Sequence, residues 1–169
     1  MGRKLPKIIN QEEFERLFKA EDDKKIKLAM LLGFEAGMRI SEIVGFKDRV
    51  PALTQDRVES ASIRIIFGKG GKDRIVPRPK RLNENALKML PLKLNRRTLQ
   101  RKVTALGKKI LKKDISFHTL RHGFITHLIE HGRPLHEIQM LAGHSRLDTT
   151  GIYLHANPIK AIQGATDVF

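Results

Sequence analysis

The sequence predicts an α+β domain that is mostly α-helical and contains a small antiparallel β-sheet. Apolar residues recur at helical spacing along most of the chain. Two short runs rich in β-branched residues, at 62–67 and 74–77, flank a glycine-rich segment that is typical of a hairpin turn. A length of 169 residues suits one domain with a hydrophobic core of its own.

The first third of the chain is predicted to be helical. Asn10 is a candidate N-cap for a helix over residues 11–20, whose apolar side chains fall on one face. Residues 24–37 are apolar on most sides, which predicts a buried helix that Gly37 ends. A short helix is expected over residues 40–46.

The middle of the chain changes to strand-like segments. Residues 62–67 and 74–77 are predicted to be strands joined by the turn Gly68-Lys-Gly-Gly-Lys72. A third strand is expected near residues 50–58. Pro77 and Pro79 would end the sheet, because proline cannot donate a ladder hydrogen bond.

The most basic stretch is residues 96–113. Leu99 and Val103 begin an apolar stripe at helical spacing, which predicts a helix with one buried face. The stretch holds eight cations and no acid: Arg96, Arg97, Arg101, Lys102, Lys108, Lys109, Lys112 and Lys113. A solvated charged face is one interpretation. A face that contacts phosphates or a DNA groove is favoured, because no acid in the segment balances its charge.

The last part of the chain is predicted to be helical as well. Residues 118–131 and 134–142 show apolar residues at helical spacing, and a glycine and a proline separate the two helices. Residues 145–148 resemble a capping box, so Tyr153 is expected in a following helix. Residues 156–169 are weakly patterned and are interpreted as a tail.

The positive charge of the chain indicates a polyanionic partner. Lysine and arginine total 33 against 18 aspartate and glutamate residues, a net charge of +15. Nucleic acid is the first candidate, since no basic amphipathic helix with an aromatic face favours a membrane surface. Eight Phe, one Tyr and no Trp offer few rings for stacking single-stranded bases. Duplex DNA bound through its phosphates is therefore favoured.

The composition also predicts where the protein works. No apolar run approaches the roughly 20 residues of a membrane-spanning helix, and the N-terminus lacks the apolar core of a signal peptide. The chain has no cysteine, which excludes disulfides and thiolate metal sites and fits a reducing compartment. We expect a cytoplasmic protein associated with the nucleoid.

Six reactive side chains stand in an order that suits phosphodiester transfer: Arg39, Lys69, His118, Arg121, His144 and Tyr153. The reaction requires positive charge at the non-bridging oxygens, an aligned nucleophile and a proton for the leaving oxygen. Arginines can grip the oxygens, histidines can donate hydrogen bonds or move protons, and a hairpin lysine can protonate the leaving group. A tyrosine nucleophile would give a covalent phosphotyrosine that conserves bond energy for religation.

Some of these residues admit a second interpretation. Lys72 competes with Lys69 for the role on the hairpin, and a Gly-Lys-Gly turn is often only a turn. Glu42, one helical turn after Arg39, either orients its neighbours or forms a surface salt bridge. A single histidine is more often structural than catalytic.

Two histidine pairs raise the question of a metal. His118/His122 and His127/His131 have the i, i+4 spacing at which two side chains can share an ion. The segment from His127 through Glu130 to His131 also fits the short His-x-x-Glu-His pattern of some zinc proteases. No third ligand stands out, so no metal site is predicted.

Five motifs carry a resemblance to a known family: Gly37-Met-Arg-Ile-Ser-Glu42, Gly68-Lys-Gly-Gly-Lys-Asp-Arg-Ile-Val-Pro77, His118-Thr-Leu-Arg-His122, Ile138-Gln-Met-Leu-Ala-Gly-His-Ser145 and Thr149-Thr-Gly-Ile-Tyr-Leu-His155. In this order they resemble the catalytic domain of the tyrosine recombinases, the phage-integrase and Xer-type family. Five motifs in one order rarely coincide by chance, and they span most of the chain.

The resemblance implies a role for each reactive residue. Five would surround the scissile phosphate: Arg39, Lys69, His118, Arg121 and His144. Tyr153 would attack it, giving a 3′-phosphotyrosyl intermediate and a free 5′-hydroxyl before strands are exchanged and rejoined. No metal or nucleotide cofactor is implied. The implied partners are double-stranded DNA and further copies of the protein, assembled on DNA as dimers to tetramers.

The basic helix resembles the helix that faces DNA in this family. The DNA contacts expected from it and from the hairpin are Arg96, Arg97, Arg101, Lys102, Lys108 and Lys72. Two other functions are weighed against recombination. A type IB topoisomerase uses similar chemistry, and a basic DNA-binding module would bind without cleaving.

The chain also departs from the family pattern. Residues 1–169 are interpreted as a single catalytic domain with a linker-like start at 1–8 and a tail at 156–169. The N-terminal domain that clamps DNA in this family is expected to be absent. Ala142 stands where leucine is frequent.

Overall fold

The computed structural model describes residues 7–47, 49–66 and 73–143. They form a mostly helical structure with one two-stranded antiparallel sheet, which confirms the predicted fold class. The helices are α1 (Gln11–Ala20), α2 (Lys24–Glu35), α3 (Ile40–Val44), α4 (Glu84–Leu87), α5 (Arg96–Leu106), α6 (Phe117–Glu130) and α7 (Leu135–Ala142), and the strands are β1 (Ser62–Ile65) and β2 (Arg74–Pro77).

The predicted N-terminal helices are confirmed. Asn10 caps α1: its side chain accepts a hydrogen bond from the backbone N–H of Glu13 at 2.8 Å, and the Glu13 carboxylate accepts one from the Asn10 N–H. The helix α2 begins after its N-cap Asp23 and ends two residues before Gly37. Gly37 has a left-handed backbone (φ 62°), and a Cβ there would lie 2.3 Å from the Phe124 ring. This turn leads the chain into the short helix α3.

The core is built around α2, which packs against α6. Two glycines let these helices approach closely. A Cβ on Gly33 would lie 3.0 Å from the Phe117 ring, and one on Gly123 would lie 2.6 Å from the Phe34 ring. Phe34 also stacks on Phe14 of α1, with ring centroids 4.1 Å apart. Helix α6 carries His118 and Arg121, and the turn after α2 leads to Arg39, so this packing fixes the base of the site.

The predicted hairpin strands pair as expected, but the third strand is not formed. Strands β1 and β2 are antiparallel, with partners from Ser62↔Pro77 to Ile65↔Arg74. In place of a strand over residues 50–58, the chain makes a 3-10 turn at Gln55–Arg57 and isolated bridges at either side. The Arg57 side chain turns inward and donates to Thr54 Oγ1 and to the Ala52 carbonyl, so local bonds replace strand pairing. The predicted turn at 68–72 lies outside the described residues.

The C-terminal helices match their predicted ranges within one or two residues. Leu99 and Val103 are buried on α5, as the apolar stripe predicted, and a π-helical turn follows at Gly107–Leu111. The helix α4 was not predicted, because four residues are too few for a periodic pattern. The predicted capping box at 145–148 and the helix of Tyr153 lie outside the described residues. None of the described helices is long and apolar enough to cross a membrane.

Candidate active site

A pocket of about 220 Å³ lies where the loop after α2 meets the first turns of α3 and α6 and the start of α5. It is lined by Met38, Arg39, Ile40, Ser41, Arg96, Gln100, Phe117, His118 and Arg121. Three of the six predicted reactive residues therefore share one pocket: Arg39, His118 and Arg121. The other three, Lys69, His144 and Tyr153, lie outside the described residues.

Arg121 lies at the base of this pocket on α6. It is 2% exposed, and its guanidinium donates to the carbonyls of Gly37 and Ala142. Burial, together with repulsion from Arg39 and Arg74, lowers its pKa to about 9. The group remains protonated near pH 7, so it is a fixed positive charge with a set orientation.

Arg39 occupies the N-cap position of α3, where its backbone is extended. Its side chain is 18% exposed, so it reaches the pocket surface. Its backbone N–H donates to Glu42 Oε2 at 2.7 Å, and its Nη1 donates to Glu42 Oε1 at 2.8 Å. Backbone and side chain of Arg39 are thus held by one carboxylate.

Glu42 is a buried counterion and not a surface salt bridge, which decides between its two predicted interpretations. It is 3% exposed, and its two oxygens accept four hydrogen bonds from Arg39 and Arg74. Burial alone would raise the pKa of Glu42, but the hydrogen bonds and charges of Arg74 and Arg39 outweigh it and hold the pKa at about 2. Glu42 therefore stays ionised at any pH where the protein works.

Arg74 lies in the motif Gly68–Pro77, but its role in the site does not follow from the sequence. It begins β2, and its Nη1 and Nη2 donate to the two oxygens of Glu42 at 2.6 and 2.8 Å. Its side chain is only 7% exposed. A signal was available: Arg74 stands two residues before the buried Val76, and alternate residues of a strand share a face. Arg39, Arg74 and Arg121 together are called the arginine cluster below.

His118 is exposed at the start of α6 and lines the mouth of the pocket. Its ring meets the ring of His122 edge to face, with centroids 4.8 Å apart. Burial, together with the positive charges of His118 and Arg121, lowers the pKa of His122 to about 4. His122 is therefore neutral near pH 7 and packs behind His118.

The second histidine pair lies apart from the pocket, and its members do not complete a metal site. The rings of His127 and His131 have centroids 4.1 Å apart near the end of α6. Within residues 7–47, 49–66 and 73–143, no group of three or more His, Cys, Asp or Glu side chains has the proximity that a metal ion requires.

The predicted DNA-contact residues of the basic segment lie along α5 and just beyond its end. Arg96 lines both the small pocket and a neighbouring groove of about 700 Å³, which Arg97 also lines. Arg101 and Lys102 are exposed one turn further on. Lys108 lies beyond the end of α5, with its Nζ 3.9 Å from Asp114. Lys72 lies outside the described residues.

Comparison with known proteins gives consistent matches. The sequence model of the Phage integrase family matches residues 90–159. Tyrosine recombinase XerA of Pyrococcus horikoshii is 31% identical over 169 residues, covering 89% of this chain and 57% of the relative. Tyrosine recombinase XerD of Staphylococcus aureus is 32% identical over 184 residues, covering 92% of this chain and 60% of the relative.

The crystal structure of XerA recombinase superposes with a TM-score of 0.72 at 25% identity, covering 97% of this chain and 65% of that structure. The chain spans less than two thirds of each of these three proteins.

Proposed function

The chain belongs to the phage integrase family of tyrosine recombinases, and we propose that it is the catalytic domain of a site-specific DNA recombinase or integrase. One observation carries the proposal most directly. Arg39 and Arg121, far apart in sequence, line one small pocket that His118 also lines. Two fixed cations and a hydrogen-bond donor suit the non-bridging oxygens of a phosphodiester.

The reaction begins with attack of the Tyr153 hydroxyl oxygen on the scissile phosphorus, while the phenolic proton passes to a histidine of the site. The new bond is a 3′-phosphotyrosyl ester, and the bond from phosphorus to the 5′-oxygen breaks. Lys69 donates the proton that the leaving 5′-oxygen takes up, which yields a free 5′-hydroxyl. A 5′-hydroxyl of the partner strand then attacks the ester and gives its proton to Lys69, while the released Tyr153 takes up a proton and the DNA is rejoined. The bond energy is conserved, so the sequence of steps consumes no nucleotide.

The arginine cluster supports the charge-stabilising part of this reaction. Arg39 and Arg74 bind the buried Glu42 carboxylate, whereas Arg121 binds only backbone carbonyls, so the cluster carries three positive charges against one negative charge. Because buried acceptors already hold Arg39 and Arg121, they need little reorganisation as negative charge builds up on the phosphate. His118 at the pocket mouth and His144 supply further hydrogen bonds to the phosphate or move protons.

The start of α5 supports duplex DNA as the partner. The Arg96 guanidinium lies 4.3 Å from the Phe46 ring centroid, and its buried Nε has no hydrogen-bond partner among the described residues. Arg96 and Arg97 line the adjoining groove, where a DNA phosphate would meet their positive charge. Arg97, Arg101 and Lys102 continue the positive surface away from the pocket. Protein copies bound to neighbouring half-sites assemble on the DNA as dimers to tetramers, at the nucleoid.

The proposal is tested with nicked duplexes selected from a randomised library by covalent capture on the protein. The wild-type chain should form an adduct that survives denaturation, and mass spectrometry should place the DNA on Tyr153. Tyr153→Phe should form no adduct while binding the selected duplex with unchanged affinity.

Three outcomes would overturn parts of the proposal. An adduct that persists in Tyr153→Phe would refute the nucleophile. Binding without any wild-type adduct would favour a non-catalytic DNA-binding module. Relaxation of supercoiled DNA without site preference would favour a topoisomerase.

A further inference from the structure

The carbonyls of the last two residues of α7, Leu141 and Ala142, and of the capping Gly143 each accept a hydrogen bond from an arginine side chain. The three arginines come from three different elements: β2, α6 and the N-cap of α3. The bonds are Arg74 Nε to the Leu141 carbonyl at 3.0 Å, Arg121 Nη2 to the Ala142 carbonyl, and Arg39 Nη2 to the Gly143 carbonyl at 3.3 Å.

This arrangement follows from what a helix end lacks. The final carbonyls of a helix have no partner within the helix and carry its partial negative charge, so cations stabilise them. Gly143 adopts the left-handed conformation (φ 59°), and a Cβ there would lie only 2.8 Å from the Arg74 Cδ. Glycine therefore lets Arg74 lie directly against the end of the helix.

Arg74 connects this helix end to Arg39. Its two terminal nitrogens bind both oxygens of Glu42, while its Nε binds the Leu141 carbonyl. Glu42 in turn binds the backbone and the side chain of Arg39. Arg74 does not line the pocket, so it reaches the site only through these partners.

We propose that Arg74 is a positioning residue: it orients Arg39 through Glu42 and fixes the end of α7, and thereby sets the geometry for strand cleavage without contacting DNA. This inference rests on the proposed function. The planar fork of arginine is essential, because three donors in fixed directions engage Glu42 and Leu141 together. A lysine at position 74 offers one point charge and cannot hold both.

The test compares Arg74→Ala and Arg74→Lys with the matched control Arg81→Ala. Arg81 is also partly buried and binds two carboxylates, Glu15 and Glu35, but it lies away from the pocket. The rate of adduct formation is measured at saturating concentrations of the selected nicked duplex, together with the DNA affinity and the melting temperature.

Arg74→Ala should slow adduct formation by about 10²-fold, since small displacements of catalytic groups have effects of this size. The rate of adduct formation in Arg74→Lys should lie between that of Arg74→Ala and that of the wild type. DNA affinity should stay within about twofold in both, because Arg74 makes no DNA contact. Arg81→Ala should lower the melting temperature and leave the rate unchanged.

A double-mutant cycle separates positioning from loss of stability. In an Arg39→Ala background, Arg74→Ala should slow adduct formation by no more than about tenfold, because residues that act through one network are not additive. Wild-type rates in Arg74→Ala, full additivity in the cycle, or an equal slowing in Arg81→Ala would each overturn the inference.

Amide hydrogen exchange in the absence of DNA tests the role of Arg74 at the end of α7 without any cleavage measurement. Arg74→Ala should speed exchange in the last turn of α7, and Arg81→Ala should not; equal protection in all three proteins would overturn the inference. If the wild-type chain formed no adduct, the proposed function would fail, and the exchange measurement would still decide whether Arg74 holds the helix end.

Discussion

The arginines of the buried cluster and those at the start of α5 differ in what surrounds them. Arg74 and Arg121 are nearly inaccessible and donate to protein acceptors. Arg97 and Arg101 are exposed and form no ion pair with any other described residue. The first group is oriented in advance, whereas the second is available to a ligand. One residue type thus serves two purposes: the buried group is expected to govern the rate of bond cleavage and the exposed group the affinity for DNA.

Of the replacements that test this comparison, Arg121→Ala should have the largest effect on the rate of bond cleavage. Arg121→Ala removes a fixed cation from the pocket and should lower the rate of adduct formation at saturating DNA by about 10²- to 10³-fold. Arg121→Lys keeps a charge but loses the fork, so it should recover only part of the rate. Single-turnover cleavage measures both variants. If Arg121→Ala weakened DNA binding but kept the wild-type cleavage rate, the buried arginines would govern affinity and not rate.

Removing Glu42 should have the next largest effect, this time on stability. Glu42→Ala leaves Arg39 and Arg74 without their shared counterion, which should destabilise the fold by about 3–5 kcal/mol. Urea denaturation measures the free energy of unfolding. An unchanged free energy would mean that the four hydrogen bonds of Glu42 contribute nothing net.

Acid should abolish the contribution of Glu42 in a defined range. The folded-state pKa of about 2 lies below the ordinary value of 4.5, so the carboxylate stabilises the fold above pH 4.5, and this contribution is lost as the pH falls towards 2. The difference in unfolding free energy between wild type and Glu42→Gln should therefore be largest near neutral pH. A difference that did not change between pH 7 and pH 3 would contradict this assignment.

Replacing the exposed arginines should have a smaller effect of a different kind. Arg97→Ala and Arg101→Ala should each weaken DNA binding and reduce the slope of log K against log salt by about 1, as expected for one lost phosphate contact. At saturating DNA the cleavage rate should match the wild type. Fluorescence anisotropy over a salt series measures the slope, and an unchanged slope would remove the residue from the DNA-facing surface.

Lys108 should give the smallest effect. It lies beyond the end of α5 near Asp114 and away from the groove that Arg96 and Arg97 line. Lys108→Ala should change stability by no more than about 0.5 kcal/mol, as is usual for exposed positions. Its salt slope should change less than that of Arg97→Ala. A larger change would extend the DNA-facing surface along the whole basic segment.

Much of the fold was predictable because local signals agreed with the tertiary structure. The Asn10 cap, the apolar stripe of α5 and the strand 74–77 all appear where the sequence placed them. The predicted third strand is not formed because its segment satisfies its polar groups locally: the Arg57 side chain turns inward and binds the backbone of its own turn. Propensity over a few residues does not reveal such a side chain.

The site was predictable in part for a similar reason. All four residues, Arg39, Glu42, Arg74 and Arg121, lie in recognisable motifs. The roles of Glu42 and Arg74, however, depend on a pairing between α3 and β2, which lie far apart in sequence. A buried ion pair between residues far apart in sequence produces no periodic pattern in the sequence. Only the two-residue spacing between Arg74 and the buried Val76 indicates that an arginine faces inward.

If the pocket binds phosphate as proposed, the arginine bonds to the end of α7 link phosphate binding to the position of that helix. If the cluster binds a phosphate better with the helix end in place, then a bound phosphate must hold that end more tightly, and by the same factor. The chain beyond Gly143 leaves from this end. A partner that pulls or steadies that segment would therefore change the phosphate affinity of the pocket without entering it.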